Sequence, residues 1–146
     1  MIYQRIVLPK YGDWVVHAYY AVSTYYVDDI MLKLWEANID ADNAKEAWDN
    51  LSKSDVDTGL CYSNYKKRET VLVIAKTSSA AEMLNSLTHE CAHCCVHIST
   101  AFGIDYRSEE FCYMIGELCR EMYPRVKNLL CDCCRKEYSD YERNKR

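Results

Sequence analysis

One stretch limits what this chain can fold into more than any other: Leu87-Thr88-His89-Glu90-Cys91-Ala92-His93. Two imidazoles four residues apart on a helix project about 40° apart on successive turns, so both reach a single ion on the same side. Glu90, next to the first histidine, is turned off that side and cannot join them as a ligand there. It is placed to hold and deprotonate a metal-bound water. This is the H-E-x-x-H arrangement, in which Zn²⁺ brings the acidity of its water towards neutrality and the glutamate acts as general base.

Three fixed residues recur by chance in unrelated helices, so the surroundings must decide. On a wheel of 3.6 residues per turn, Leu84, Leu87, Cys91, Cys94, Ile98 and Ala101 form one stripe, the expected core-facing side. His89 and His93 point about 130° from the centre of that stripe by the same geometry. They are not ordinary core histidines. The competing reading is that they are solvent-facing polar positions on an amphipathic helix, and the downstream chain weighs against it.

Length enters here as a bound. At 146 residues the chain is one domain by prior, able to bury a single core without staples. Its 49% apolar and 27% charged residues are ordinary for a globular protein, and only four glycines and two prolines argue against long linkers. A net charge of −4 gives no reason to expect a nucleic-acid partner. The start has no apolar run long enough for a signal peptide, and nowhere do about 18 apolar residues follow one another, so a cytoplasmic protein without a membrane partner is expected. Nine cysteines would suggest disulfides in a secreted chain; here reduced thiols are the default. Cys91, Cys94 and Cys95 read as small core residues of the motif helix. Cys131-Asp132-Cys133-Cys134 lacks the paired C-x₂₋₄-C units of a closed zinc finger.

Residues 2–8 and 14–22, rich in β-branched and aromatic side chains and separated by Pro9 and Gly12, predict two strands forming a hairpin. A short helix opens at Asp28 and stops before Asp40, and a second runs over about 42–53 with Ala44, Ala47, Trp48 and Leu51 on one face. Residues 59–63 and 70–75 predict two more strands joined by a charged turn. The motif helix follows, with Ser78 or Ser79 as cap and Glu82 completing a capping box if Ser79 is used. It should run to about Phe102 and end at Gly103. Ser108 caps a further helix through roughly Met122, ended by Pro124. The fold class expected is therefore α+β: a small mixed sheet packed against the motif helix and a following glutamate-bearing helix. Residues 1–76 form the scaffold, 77–122 the metal-site helices and 123–146 a C-terminal helix with a basic tail.

Glu109 and Glu110 are the candidates for a third ligand at the start of that last helix. Glu110 shares its side with Glu117 and Glu121, an acidic and solvated face, whereas Glu109 shares its side with Cys112 and Gly116. The six residues 103–108 can span about 20 Å if extended, enough to bring Glu109 level with the histidines. A tight turn would instead put Glu117 at that height, so Glu110 and Glu117 stay as alternatives.

His89-Glu90-Cys91-Ala92-His93 followed by Glu109-Glu-Phe-Cys-Tyr-Met-Ile-Gly116 resembles the gluzincin metallopeptidases, in which H-E-x-x-H precedes a helix with a glutamate ligand and commonly a glycine seven residues after it. Among short members it is similar to the ImmA/IrrE-type peptidases and to small H-E-x-x-H proteins of phages and prophages. The resemblance covers about residues 71–122. It implies a zincin-like fold, His89, His93 and Glu109 as zinc ligands, Glu90 as base, and an edge strand beside the helix holding extended substrate. Tyr113 stands where the family often has an aspartate that orients a ligand histidine. The activity implied is zinc-dependent hydrolysis of a protein or peptide substrate, with Tyr106, Arg107, His97 and His17 as candidate oxyanion stabilisers. The alternative is an inactive zincin-like protein that binds metal or a partner.

Overall fold

A computed structural model of the chain describes residues 1–53, 56–136 and 144. The predicted hairpin is present as β1 (Ile2–Leu8) and β2 (Trp14–Val22), paired antiparallel with Tyr3 opposite Tyr19 and Leu8 opposite Trp14. Helices α1 (Val27–Glu36) and α2 (Ala41–Ser52) follow. Asp28 and Asp29 lie in the first turn of α1, where carboxylates complement the helix dipole, and the Asp40 side chain caps α2 by accepting from the Asn43 amide. Strands β3 (Gly59–Asn64) and β4 (Glu69–Ala75) form the second hairpin. The chain then enters α3 (Ala80–Phe102), reverses, and returns as α4 (Glu109–Val126).

The four strands lie in the order β1-β2-β4-β3, with β2 parallel to β4 and both outer pairs antiparallel. The architecture is mixed α+β. Helices cover both faces of the sheet. One core joins Val16, Ala18, Tyr20, Leu72 and Ile74 to Met83, Leu87, Cys91, Cys94, Cys95 and Ile98 of α3 and Met114, Leu118 and Met122 of α4. The other joins Tyr19, Val71 and Val73 to Ile30, Met31 and Leu34 of α1 and Ala44 and Ala47 of α2. Each fully buried aliphatic chain here contributes about 1.5–3 kcal/mol of transfer free energy. Since β4 sends alternate side chains into both cores, its apolar run has no polar alternation.

Helix ends follow the local signals. Ser79, not Ser78, caps α3 by accepting from the Glu82 amide, and Ser108 caps α4 by accepting from Phe111. Gly103 ends α3 at φ 68°, a left-handed conformation that favours glycine. Pro124 does not end α4, which continues to Val126; one lost donor in the last turn is tolerated there. Residues 132–136 form another helical turn, and the rest of the expected tail lies outside the described residues apart from Asn144.

His17 sits on the α1 side of the sheet, away from α3. Its Nε2 lies 2.7 Å from a Glu69 carboxylate oxygen and its Nδ1 2.8 Å from the Tyr3 hydroxyl. Burial lowers its basicity, Lys33 adds to this, and the opposing pull of Glu69 does not compensate. A base whose folded pKa lies below its unfolded value of about 6.5 binds fewer protons when folded, so its stability contribution is complete above that pH and is lost as pH falls through the folded pKa. The melting temperature should therefore drop between pH 7 and 5, and by less in His17→Gln. An equal drop in the variant assigns the effect elsewhere.

Candidate metal site and cleft

On α3, His89 and His93 are both exposed and turned towards each other, Nε2 to Nε2 at 3.1 Å. Two imidazoles bound to one tetrahedral zinc at 2.0–2.1 Å hold their nitrogens about 3.3 Å apart, so the pair fits a shared ion. Glu90, one residue on, is only 6% exposed. It points to the flank of α3 that packs on β3, against Gly59, where a Cβ would stand 2.4 Å from Glu90 Oε1. Burial holds its carboxyl above the usual carboxylate range, against the weaker opposing influence of His89. A cleft of about 340 Å³ opens at this point, walled by Asn50, Asp57, Thr58 and Gly59 on one side and by Asn85, Ser86, His89 and Glu90 on the other. A more apolar hollow of about 150 Å³ between α2 and β3 has no histidine, cysteine or carboxylate in its lining.

Strand β3 is an outer strand of the sheet and packs on α3, with Cys61 and Ser63 reaching His97. A relay of side chains fixes it there. Trp14 Nε1–H donates to Thr70 Oγ1 (2.8 Å), Thr70 Oγ1 lies 2.7 Å from Ser63 Oγ, and Ser63 Oγ lies 2.8 Å from His97 Nδ1. Ser63 Oγ thus bridges Thr70 Oγ1 and His97 Nδ1, and donation along the relay in either direction satisfies these contacts. Burial and the neighbouring His93 both disfavour a second proton on that ring.

The third ligand is where structure and expectation part. Among the described residues, no carboxylate joins His89 and His93 in a group of three donors within 4.8 Å; the only such group is Cys131, Cys133 and Cys134. Loop 103–108 is compact rather than extended. The Ile104 amide donates to Ser99, the Arg107 amide to the Asp105 side chain, and the Ser108 amide to the Asp105 carbonyl. Helix α4 is thereby returned along the other flank of α3, where Met122 meets Cys91 (3.3 Å), and Gln4 of β1 ties to the Glu121 carbonyl (2.8 Å). Glu110 pairs with Lys10 (3.6 Å), and Glu110 and Glu117 both act on the Tyr11 hydroxyl, which places them on the β1 side. Glu109 is exposed, half a turn round α4 from the buried Met114, Leu118 and Met122. None of Glu109, Glu110 and Glu117 is brought to the imidazole pair. Of the three protein donors that a catalytic zinc site uses, the described residues bring two together here.

The other candidates also sort. His97 and Tyr106 stand on the α3 side, Tyr106 with its hydroxyl 2.6 Å from Thr100 Oγ1. Arg107 is held by Asp105 (3.2 Å), and His17 is excluded by lying across the sheet. Sequence reasoning missed Gly59, Ser63 and the Asn50 and Asp57 wall; a glycine opening an otherwise bulky strand was the one available signal, since it marks a close approach.

No family model, curated protein or solved structure matches this chain.

Proposed function

We propose that this chain is a zinc-dependent metallopeptidase of the H-E-x-x-H type, with His89 and His93 holding the ion and Glu90 as base. The observation that carries the reading is the convergence of the two Nε2 atoms at 3.1 Å beside a buried glutamate, on a helix packed against an outer strand. A bound zinc would supply Lewis acidity and an acidic water. Glu90 takes up a proton from the attacking water and returns it to the leaving amine. The outer edge of β3 offers main-chain groups to an extended peptide, and His97, in the tautomer protonated at Nε2, supplies a donor for developing negative charge.

A second reading is favoured by one specific observation: among the described residues, no carboxylate completes a three-donor set with the histidine pair. On that reading the chain holds metal or a partner without turnover. Elemental analysis of protein purified without a histidine tag separates the possibilities, with labelling of new N-termini in a lysate as the activity readout. The peptidase reading expects about one zinc per chain, lost in His89→Ala/His93→Ala, and new termini that depend on Glu90. Zinc without new termini supports the second reading. Absence of zinc overturns the peptidase reading and the metal-holding form of the second.

A further inference from the structure

Beyond the histidine site, the described residues contain one other cluster of metal-ligating side chains, and it is built of sulfur. Just after α4 the chain makes the turn Cys131-Asp132-Cys133-Cys134, with Cys133 exposed and Cys131 and Cys134 half-buried. Cys131 Sγ lies 2.9 Å from Cys133 Sγ, and Cys133 Sγ 3.9 Å from Cys134 Sγ, with all three inside 4.8 Å of one another. A separation of 2.9 Å is too long for a disulfide, whose sulfurs are about 2.05 Å apart. Thiolates bound to a common ion at about 2.3 Å lie roughly 3.8 Å apart, inside the range seen here.

The turn that presents these sulfurs is anchored rather than loose. The Asp132 carboxylate accepts from the Ala80 amide (3.0 Å) at the first residue of α3, and Arg135 donates to the Ser78 (3.3 Å) and Thr77 carbonyls. The turn is thus tied to the N-terminus of α3 through Asp132 and to the carbonyls just before it through Arg135. Asp132 is engaged in that anchoring, and no further His, Cys, Asp or Glu among the described residues completes a fourth position. Zinc in structural sites takes four ligands, whereas soft thiolates in a set of three suit a monovalent d¹⁰ ion.

We propose that Cys131, Cys133 and Cys134 form a second metal site, separate from the histidine pair, that binds one Cu⁺ ion through three thiolates. The inference does not depend on the peptidase reading. Its test is anaerobic titration of the reduced full-length chain with Cu⁺ in competition with a Cu⁺ chelator, following the ultraviolet sulfur-to-copper band. One Cu⁺ per chain should be retained, unchanged in His89→Ala/His93→Ala and lost in the triple Cys131→Ser/Cys133→Ser/Cys134→Ser variant. Cys133→Ser alone, at an exposed position that leaves the core intact, should weaken binding by more than the roughly 10–100-fold that loss of an outer partner of a ligand costs. Retention of Cu⁺ by the triple variant, loss of it in the histidine variant, or no binding by the wild type each overturns the assignment. Tighter binding of Zn²⁺ than of Cu⁺ at the same cysteines overturns the choice of ion.

Discussion

Replacing Glu90 by glutamine is expected to leave the zinc content unchanged and to lower peptide cleavage about 10³-fold, within the range general base catalysis contributes. Glutamine has nearly the same shape, so it keeps the seat against Gly59 that the carboxylate occupies, but it cannot take the proton from water. The substitution has a second readout that does not involve activity. Burial raises the carboxyl of Glu90 in the folded state. An acid raised on folding contributes stability that is fully present below its unfolded pKa of about 4.3 and lost as pH rises through the folded value. At neutral pH the metal-free Glu90→Gln chain should therefore melt higher than the wild type, with the difference closing in acid. Full activity of Glu90→Gln on a verified substrate would falsify its role as base. An unchanged melting temperature at pH 7 would instead show that the carboxylate is well solvated in the cleft.

Much of the architecture was legible because short-range chemistry decides it. Asp40, Ser79 and Ser108 accept from the amides three residues on, Gly103 takes a left-handed conformation, and both strand pairs flank the punctuation that separates them. What could not be read was which sides of α3 are covered. The expected stripe included Leu84 and Ala101, but Leu84 is 56% exposed and Ala101 also faces solvent, while Met83 and Cys95 are buried. The cause is that α3 is gripped from two flanks, by β3 near Ser86 and Glu90 and by α4 near Cys91 and Cys95. That widens the buried arc to include polar residues, and a wheel that scores only apolar positions does not register them. The third ligand was illegible for a related reason. Chain length allows loop 103–108 to reach about 20 Å, but whether it extends or folds is set by Asp105 accepting from its own neighbours, and that choice puts α4 on the flank away from the histidines.

The contact that ties fold to site most closely is the one between Gly59 and Glu90, and Gly59→Ala tests it. A methyl group there would lie 2.4 Å from Glu90 Oε1 and 2.8 Å from both Cδ and Cγ, closer than atoms can approach. Because Cγ is next to the helix backbone, the glutamate cannot yield by bending its tip alone; the whole side chain must leave its seat. Overpacking of this kind costs about 1–3 kcal/mol, and displacement of the base should lower cleavage about 10²-fold or more. The backbone of Gly59 is not left-handed, so the loss comes from the contact and not from strain. Gly103→Ala supplies the contrast: its φ is 68° with no atom within 4 Å of the added methyl group, so it should lose about 1 kcal/mol through backbone strain and leave cleavage untouched. In a double-mutant cycle, Glu90→Ala should recover most of the stability lost in Gly59→Ala, a coupling of about 1–2 kcal/mol that residues out of contact do not show. Additive effects of the two substitutions would mean that Glu90 does not rest against β3, and the outer strand would then no longer be what positions the base.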